Sequence, residues 1–343
     1  MRRVVIVAPG EVRLEEVPAP EPSAGQVVIR VAYCGICGSD LHAFQGKHPF
    51  IDLPATPGHE FSGRVEALGD GVESLELGQR VTVEPSLTCG KCYLCQTGRY
   101  NVCENLRVMG CQGEGAMADF FSVPAAKVVP IPPELSLRHA ALVEPLAVGV
   151  HAARRAGDLA GKNVVIFGAG TIGLLLTQVV RLAGAKRIVV VDLLEERLKL
   201  ASQFGATTVV NASNQDVVQS LLANRPYEGW DVAFEAVGVE ATIRQALGVV
   251  RKGGRVVVVG VFGEEARVNV GNVQDRETEI FGTLMYVRRD FQDAIDLIAG
   301  GKVEVGQLVS QVFKLDGDDS VKAAFAAALD SKKNLKVLFE VGP

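Results

Sequence analysis

Residues 163–192 read NVVIFGAGTIGLLLTQVVRLAGAKRIVVVD, and the order of residue types in this stretch decides the fold. Short runs rich in Val and Ile stand at its two ends, and a longer apolar segment separates them. A run of about four to eight apolar residues without polar alternation indicates a strand that is buried on both faces. The stretch therefore predicts two parallel strands that are joined by a helix.

The hexapeptide GAGTIG lies between the first strand and the helix and has the glycine spacing GxGxxG. Glycine there permits the tight turn, the approach of a pyrophosphate to the backbone, and close contact between helix and strand. The amide groups at the start of such a helix favour negative charge. The motif predicts a dinucleotide site whose candidate residues are Gly168, Gly170, Thr171, Ile172, Gly173, Asp192 and Arg197.

Asp192 ends the second strand, in the position from which a carboxylate binds ribose hydroxyls. Its charge repels a 2′-phosphate, so we expect NAD rather than NADP as the cofactor. Leu193 and Leu194 support this expectation, because they stand where an NADP site often has arginine. Asp192 can also be the N-cap of the following helix, a role that says nothing about the cofactor.

Four further apolar runs follow within residues 207–284, which makes six strand-sized runs in this part of the chain. We therefore predict a doubly wound parallel-sheet domain over residues 150–284 and an α/β fold class. Residues 1–149 contain short β-like pieces interrupted by Gly and Pro, and predict an irregular β-rich domain. We expect residues 285–343 to return to that first domain, which makes the nucleotide domain an insertion.

The composition fits an ordinary two-domain globular enzyme of 343 residues, with a hydrophobic share of 48%. The net charge of −5 gives no general attraction for nucleic acid or for an anionic membrane. The uncharged stretch 164–180 contains three glycines, and a buried strand and helix explain it better than a membrane span. The N-terminal apolar run ends too early for a signal peptide, so we expect a cytoplasmic protein.

Four of the seven cysteines lie within fifteen residues, in the pattern C-x2-C-x2-C-x7-C. Four thiolates in one loop can close a tetrahedral shell around zinc and leave no position for substrate, which indicates a structural site. A redox pair or unrelated thiols are the alternatives, although a redox site needs only two cysteines. The predicted structural zinc lobe spans residues 85–110, and its ligands are Cys89, Cys92, Cys95 and Cys103.

A second set of potential metal ligands is dispersed along the sequence and consists of Cys37, His59, Glu60 and Glu144. Cysteine, histidine and carboxylate together can hold zinc and leave an exchangeable position for water or an alcohol. The spacing of these residues does not show that they converge. Taken singly, His59 can be a buried histidine without a metal, and Glu144 can cap a helix.

The whole chain resembles the zinc-containing medium-chain alcohol dehydrogenases in its order of GHE at residues 58–60, cysteine lobe, GxGxxG domain and returning tail. The segments CGICGSDLH, GRYNVC and LVEPLAVGVHA are most similar to the sorbitol or polyol dehydrogenase branch. The resemblance implies a GroES-like fold for the first domain and a Rossmann fold for the second. It also implies two zinc ions per chain, NAD as the cofactor, and a homodimer or homotetramer.

The resemblance further implies roles for individual residues. Ser39 matches the hydroxyl that begins the proton relay of the family, and His42 matches its distal histidine. Their alternative roles are the capping of a turn and exposure to solvent. Asp40 is expected to orient the imidazole of His59. The implied ligands of the catalytic zinc are Cys37, His59 and Glu60, with Glu144 bound directly or through water.

The chain departs from the sorbitol branch after the last nucleotide-domain strand, where it has Tyr286-Val287 and Arg288-Arg289 instead of an Arg-Tyr pair. We predict an enzyme that oxidises a secondary alcohol by hydride transfer to NAD, with a polyol such as sorbitol, xylitol or galactitol as substrate. Alternative substrates are L-threonine, 2,3-butanediol or another alcohol or aldehyde. A non-catalytic nucleotide-binding or redox-sensing protein is the alternative from a different class.

Overall fold

The computed structural model describes residues 1–342, which divide into two compact units. The first unit joins Met1–Glu144 to the segment that begins at Val287, and the second unit is Pro145–Tyr286. The sequence places these divisions at 149/150 and 284/285. The first observed division falls inside a single helix, Val143–Ala156, so no loop composition marks it in the sequence.

Strands and helices cover most of the described residues. The strands are β1 (Arg2–Ala8), β2 (Glu11–Glu16), β3 (Gln26–Ile36), β4 (Glu60–Leu68), β5 (Arg80–Val83), β6 (Ser86–Leu87), β7 (Arg107–Val108), β8 (Phe120–Pro124), β9 (Val128–Pro130), β10 (Asn163–Phe167), β11 (Arg187–Asp192), β12 (Thr208–Asn211), β13 (Trp230–Glu235), β14 (Val250–Val258), β15 (Glu279–Gly282), β16 (Val309–Lys314) and β17 (Lys336–Glu340). The helices are α1 (Gly38–Phe44), α2 (Tyr93–Gln96), α3 (Leu137–Ala140), α4 (Val143–Ala156), α5 (Thr171–Leu182), α6 (Glu195–Gln203), α7 (Val217–Ala223), α8 (Glu240–Val249), α9 (Val270–Asp275), α10 (Arg288–Ala299) and α11 (Asp318–Leu329).

A seven-stranded sheet organises the first unit, in the order β16-β17-β3-β4-β5-β9, with β8 also paired to β3. The long strand β3 is largely buried, which fits its apolar run QVVIRVA. Apolar side chains of β3, β4, β8 and β17 form the core of this unit, in which Phe61 and Phe121 meet edge to face at 5.6 Å. Because β17 pairs antiparallel with β3, the C-terminal tail returns to the β-rich unit.

The N-terminal hairpin of β1 and β2 is attached to this unit through backbone hydrogen bonds. Ile6 and Ala55 exchange two of them, at 2.9 and 3.0 Å, and the Val4 N–H donates to the carbonyl of Met117 at 2.8 Å. The hairpin therefore lies beside the segments that contain Ala55 and Met117, and together they border one side of the unit.

A parallel six-stranded sheet organises the second unit, in the order β12-β11-β10-β13-β14-β15. This is the strand order of a Rossmann domain, and the order reverses beside β10. All five residues of β10 are buried, as the run NVVIF predicts, and α5, α6 and α8 contact the strands. The predicted α/β class, with a β-rich unit and a doubly wound parallel sheet, is confirmed.

Strand β14 follows α8 directly. The helix ends at Val249, and Val250 begins the strand. The first pair of β14 with β13 is irregular, so this strand starts with a shift in register that the pattern does not reveal. Residues 164–180 form β10, the glycine turn and most of α5, and the described part of the chain holds no helix with the length and hydropathy of a membrane span.

Close contacts at the glycine turn between β10 and α5 exclude side chains at two positions. Gly168 has φ +100°, and a Cβ there would lie 2.8 Å from a methyl group of Val237. A Cβ on Gly173 would overlap the carbonyl oxygen of Gly168. Gly170 is the N-cap of α5, and the nearest atom to its Cβ position is a nitrogen of Arg197 at 3.9 Å. The first and third glycines are therefore required by packing, whereas the second leaves an open approach to the helix start.

We expect Gly173→Ala to lower the free energy of unfolding by about 1–3 kcal/mol, the usual cost of forcing a methyl group into a packed position. Gly248→Ala is the matched control, because Gly248 also lies in a helix and its Cβ would meet nothing closer than 4.0 Å. That control gains about 0.5–1 kcal/mol from helix propensity. Urea unfolding of both variants measures the difference, and equal stability of Gly173→Ala and the unsubstituted protein would contradict the packing argument.

Candidate metal centres and nucleotide site

The cysteine loop brings four sulfur atoms together. The Sγ of Cys89 lies 4.0 Å from that of Cys95 and 3.5 Å from that of Cys103. The Sγ of Cys92 lies 3.9 Å from that of Cys103, and all four sulfurs are within 4.8 Å of one another. Sulfurs bound to one tetrahedral zinc at about 2.3 Å are about 3.8 Å apart, so this donor set fits a zinc ion with four thiolates.

Backbone amides stabilise the thiolate form of Cys89, whereas burial and the neighbouring cysteines raise the pKa of Cys95 to about 12. The Cys92 N–H donates to the Sγ of Cys89, and the Asn105 N–H donates to the Sγ of Cys103, both at 3.4 Å. The backbone N–H groups of Lys91 and Cys92 lower the pKa of Cys89 to about 6. Hydrogen bonds to a charged sulfur are favourable, and a thiolate is the form that binds a metal. The loop is therefore suited to a cation before any ion arrives.

Cys37, His59 and Glu60 form a second group, and one ligand atom from each lies within 4.8 Å of the others. Cys37 is the half-buried N-cap of α1, while His59 and Glu60 are buried at the start of β4. One sulfur, one imidazole and one carboxylate fit zinc and leave a coordination position free. Glu144, the fourth predicted residue, is buried in α4 and lies outside this group.

Asp40 lies next to the imidazole of His59. One of its carboxylate oxygens accepts the Cys37 N–H at 2.8 Å, and the other is buried without a hydrogen-bond partner, 3.9 Å from His59 Nδ1. At that distance the contact with His59 is electrostatic rather than a hydrogen bond. Burial by itself lowers the pKa of His59, but Cys37, Cys111 and Asp40 raise it well above its usual range. The imidazole is therefore surrounded by groups that favour a positive charge.

Lys336 is a residue of this site that the sequence analysis missed. It lies on β17, is 4% exposed, and its Nζ donates to the two carboxylate oxygens of Glu60 at 2.7 and 2.6 Å and to the Ile36 carbonyl at 3.1 Å. Burial by itself lowers the pKa of Lys336, but the charge of Glu60 raises it above its ordinary value. The one signal in the sequence is a lysine inside the apolar strand NLKVLFEV.

The predicted relay residues Ser39 and His42 lie on α1, the helix that begins after Cys37. They are three residues apart, so they share one face of the helix, and both are half-buried. The structure thus places a hydroxyl and an imidazole on the short helix whose N-cap is the candidate metal ligand Cys37.

In the second unit, Asp192 links the end of β11 to the glycine turn. Its carboxylate accepts the Ala169 N–H at 2.7 Å and the Leu194 N–H at 2.9 Å. Arg197 lies 4.0 Å from the same carboxylate, and Leu193 is 62% exposed beside it. Thr171 and Ile172, at the first turn of α5, are half-buried. The residues predicted for the cofactor therefore lie around one turn, and contact of Asp192 with a ribose stays a prediction.

Two protein-family models match the sequence of this chain. The alcohol dehydrogenase GroES-like domain matches residues 23–133, and the zinc-binding dehydrogenase matches residues 171–300. Sorbitol dehydrogenase of Bacillus subtilis is 34% identical over 98% of this chain and 96% of its own, and (R,R)-butanediol dehydrogenase of that bacterium is 35% identical over 96% of each. Among solved structures, the crystal structure of RspB from Escherichia coli CFT073, described as a short chain alcohol dehydrogenase in complex with the cofactor NADH, matches 99% of this chain and 99% of its own. The two share 30% sequence identity, and the TM-score is 0.92.

We expect Lys336→Met to lower the free energy of unfolding by about 3–5 kcal/mol, because it leaves the Glu60 carboxylate buried without its cation. The double variant Lys336→Met/Glu60→Gln leaves neither member of this pair charged and should recover part of that loss. Lys333→Met is the control, since Lys333 is 81% exposed in its ion pair with Asp330 and such pairs contribute at most about 1 kcal/mol. Urea unfolding compares the three, and similar losses at Lys333 and Lys336 would rule out the buried pair as a major source of stability.

Proposed function

Because the chain belongs to the zinc-containing medium-chain alcohol dehydrogenase family, we propose that it oxidises a polyol such as sorbitol, xylitol or galactitol to a ketose, with hydride transfer to NAD. As a member of this family, the chain is an oxidoreductase that uses zinc and NAD(H). The observation that carries the proposal is the buried group of one sulfur, one imidazole and one carboxylate, which leaves room for a substrate oxygen on a metal.

We assign different roles to the two groups of metal ligands. Four thiolates leave no coordination position, so Cys89, Cys92, Cys95 and Cys103 are the ligands of a structural zinc. Cys37, His59 and Glu60 are the ligands of a catalytic zinc. Lys336 donates to both oxygens of Glu60 and compensates part of the charge of that carboxylate. Glu144 lies outside the group of three, so of its two predicted roles, direct or through water, we assign the one through water, which leaves a position for the substrate.

The chain itself supplies binding, orientation and a path for the proton. When bound, zinc would supply the lowering of the pKa of the substrate hydroxyl, and NAD would supply the acceptor for the hydride. Ser39 accepts the proton of the substrate hydroxyl, and His42, on the same face of α1, passes it to solvent. Asp40 keeps the imidazole of His59 in place through its charge. In the second unit, the glycine turn and Asp192 bind the dinucleotide, and the charge of Asp192 favours NAD over NADP.

A short diol is the second candidate substrate. The butanediol dehydrogenase of Bacillus subtilis is 35% identical to this chain and the sorbitol dehydrogenase 34%, so identity does not separate a diol from a longer polyol. L-Threonine and aldehydes have no comparable support among these relatives. A non-catalytic nucleotide-binding protein is not proposed, because the family consists of enzymes.

We also propose a cytoplasmic location, with neither nucleic acid nor a membrane as partner. All seven cysteines are free thiols, which fits a reducing compartment and metal ligation. The net charge of −5 supports the absence of a polyanionic partner.

We propose that the chain forms a homodimer or homotetramer, and the edge of the second sheet is the surface through which two copies would associate. β15 is the last strand of that sheet and pairs with β14 on one side. Ile280 on this strand is 44% exposed, and Leu284 just beyond it is 49% exposed. An unpaired strand edge with exposed apolar side chains is a template for pairing with a second copy of the chain.

We expect the protein to sediment at two or four times its chain mass of 36.5 kDa, and Ile280→Lys to shift it towards 36.5 kDa. A lysine at an unpaired edge opposes pairing, because association would bury its charge. Leu77→Lys is the control, since Leu77 is 67% exposed in the first unit. A protein that sediments at 36.5 kDa without any substitution contradicts the proposed oligomer.

Two serine substitutions test the metal assignment, with zinc per chain and NADH absorbance as readouts. We expect Cys37→Ser to lose one zinc and all turnover while its unfolding temperature stays close to that of the unsubstituted protein. Cys92→Ser should also lose one zinc, but with a marked loss of stability, because a closed thiolate site contributes folding energy. Identical behaviour of the two variants would contradict the division of roles.

The same assay tests the activity itself on polyols, diols, simple secondary alcohols and L-threonine. NADH should form with polyols, and its absence across the whole panel, with zinc and NAD fully bound, would contradict the proposed oxidation.

A further inference from the structure

The segments that follow β10, β13 and β14 are joined at Glu235, the last residue of β13. The Ala236 N–H donates to the carbonyl of Phe167 at 2.9 Å, which connects the segment after β13 to the end of β10. The carbonyl of Glu235 accepts the N–H groups of Val259 and Gly260 at 2.8 and 2.9 Å, which connects it to the segment after β14. The carboxyl edge of the parallel sheet is therefore held together at the end of β13.

The side chain of Glu235 is completely buried, and only one of its two oxygens has partners. Oε1 accepts the N–H groups of Val237 and Gly238 at 2.9 and 2.8 Å and the Thr242 hydroxyl at 2.7 Å. Oε2 is buried without a hydrogen-bond partner. An ionised carboxylate is the form that only accepts, and all three donors are uncharged. Glu235 is therefore a buried negative charge whose hydrogen-bond partners include no cation.

The start of α8 stabilises this charge. Val239 is the N-cap of α8, and Thr242, which donates to the carboxylate, lies in the first turn of the helix. The positive end of a helix dipole favours an anion, and it is equivalent to about half of an elementary charge. The helix start therefore makes burial of the carboxylate possible, but it does not cancel the whole charge.

The strand order indicates which half of the cofactor lies near Glu235. A dinucleotide binds across the point where the strand order reverses, so its two halves lie on opposite sides of that point. Asp192, the predicted partner of the adenosine ribose, ends β11 on one side of β10, and Glu235 ends β13 on the other side. Val237 and Val261 follow β13 and β14 and are 46% and 61% exposed, which offers an apolar surface to the nicotinamide ring.

We propose that Glu235 is a positioning residue of the cofactor site, and that its buried charge makes this site bind the oxidised, positively charged nicotinamide more tightly than the reduced, uncharged one. The inference rests on the proposed use of NAD. It adds a carboxylate that the glycine motif does not include. Because NADH then binds more weakly than NAD⁺, the same charge favours release of the reduced cofactor after hydride transfer.

The segment after β14 keeps this charge away from water. A Cβ on Gly260 would lie 2.7 Å from Oε2 of Glu235 and would overlap the backbone nitrogen of Gly238, so glycine allows the segment to cover the carboxylate. A charge in such an interior acts over several ångströms, because water and salt screen it less than they screen an exposed charge. Direct contact between Glu235 and the nicotinamide ring is therefore not required.

The test measures the dissociation constants of NADH and NAD⁺ for Glu235→Gln, which keeps the shape of the side chain and an acceptor oxygen but removes the charge. Energy transfer from Trp230, the single tryptophan of the sequence, reports binding of NADH, and displacement of NADH reports binding of NAD⁺. We expect the dissociation constant of NAD⁺ to rise about tenfold and that of NADH to change less than about twofold. In the unsubstituted protein, the preference for NAD⁺ should persist in added salt, because the charge is buried.

Two sets of control variants separate charge from shape. Glu240→Gln is matched to Glu235→Gln, because Glu240 begins the same helix but pairs with Arg244 at the surface, and it should change neither dissociation constant. Thr242→Val removes one donor to Glu235 and leaves its charge, so it should weaken both forms of the cofactor equally. Thr242→Ser keeps the hydroxyl and should weaken neither. The emission of Trp230, which is buried in β13, and urea unfolding check that each variant is folded.

Three outcomes would overturn the role of the charge. The first is an equal change for NAD⁺ and NADH in Glu235→Gln, which would leave Glu235 with the shape of the turn alone. The second is an equally large loss of NAD⁺ affinity in Glu240→Gln, and the third is a preference for NADH in the unsubstituted protein. If neither form binds, the proposed use of NAD fails as well. Binding of both forms with a ratio that Glu235→Gln does not change leaves that use intact and rejects the inference alone.

Discussion

A buried contact between Lys336 and Glu60 holds the first unit together around its metal-ligand group. Lys336 lies on β17 and Glu60 on β4, and β3 separates the two strands in the sheet. Either charge alone would cost several kcal/mol in this interior, so both strands must be in place before either side chain can be buried charged. The two residues are 276 positions apart, and their contact gives the C-terminal segment a physical reason to return to the first unit. Gly35, opposite Glu60 on β3, makes the contact possible, because a Cβ there would overlap the carboxylate.

The two groups of candidate metal ligands differ in the number of donors, and the assignment of one to structure and the other to catalysis rests on that difference. The cysteine loop supplies four sulfurs from one short segment and aims backbone amides at them, so its shell closes on itself. The other group takes its donors from the start of a helix and the start of a strand, and three donors leave space for a fourth. Asp40 and Lys336 surround it with a carboxylate facing the imidazole and an ammonium facing the carboxylate. The ammonium of Lys336 therefore compensates the charge of Glu60, while Asp40 faces the imidazole at 3.9 Å.

The glycine turn of the second unit is held in shape by contacts of the chain itself. There Asp192 binds two backbone N–H groups while Gly168 and Gly173 bring helix and strand into contact, so the turn is shaped before a cofactor binds.

Local features of the sequence are sufficient for the parallel sheet, the glycine turn and the cysteine loop. The glycine turn and the cysteine loop each lie within a short segment and require a residue type for a short-range reason, such as the lack of space for a Cβ at Gly173. The sheet spans residues 163–282, and the repeated alternation of apolar strands and helices predicts it. The family resemblance adds Cys37, His59 and Glu60, whose spacing alone shows no convergence. The partner of Glu60, the place of Glu144 outside the ligand group, and the contact of Cys111 with His59 appear only in the folded chain. A lysine in an apolar strand carries no sign of the carboxylate that will neutralise it, because that choice is made by strands that become neighbours only when the sheet forms.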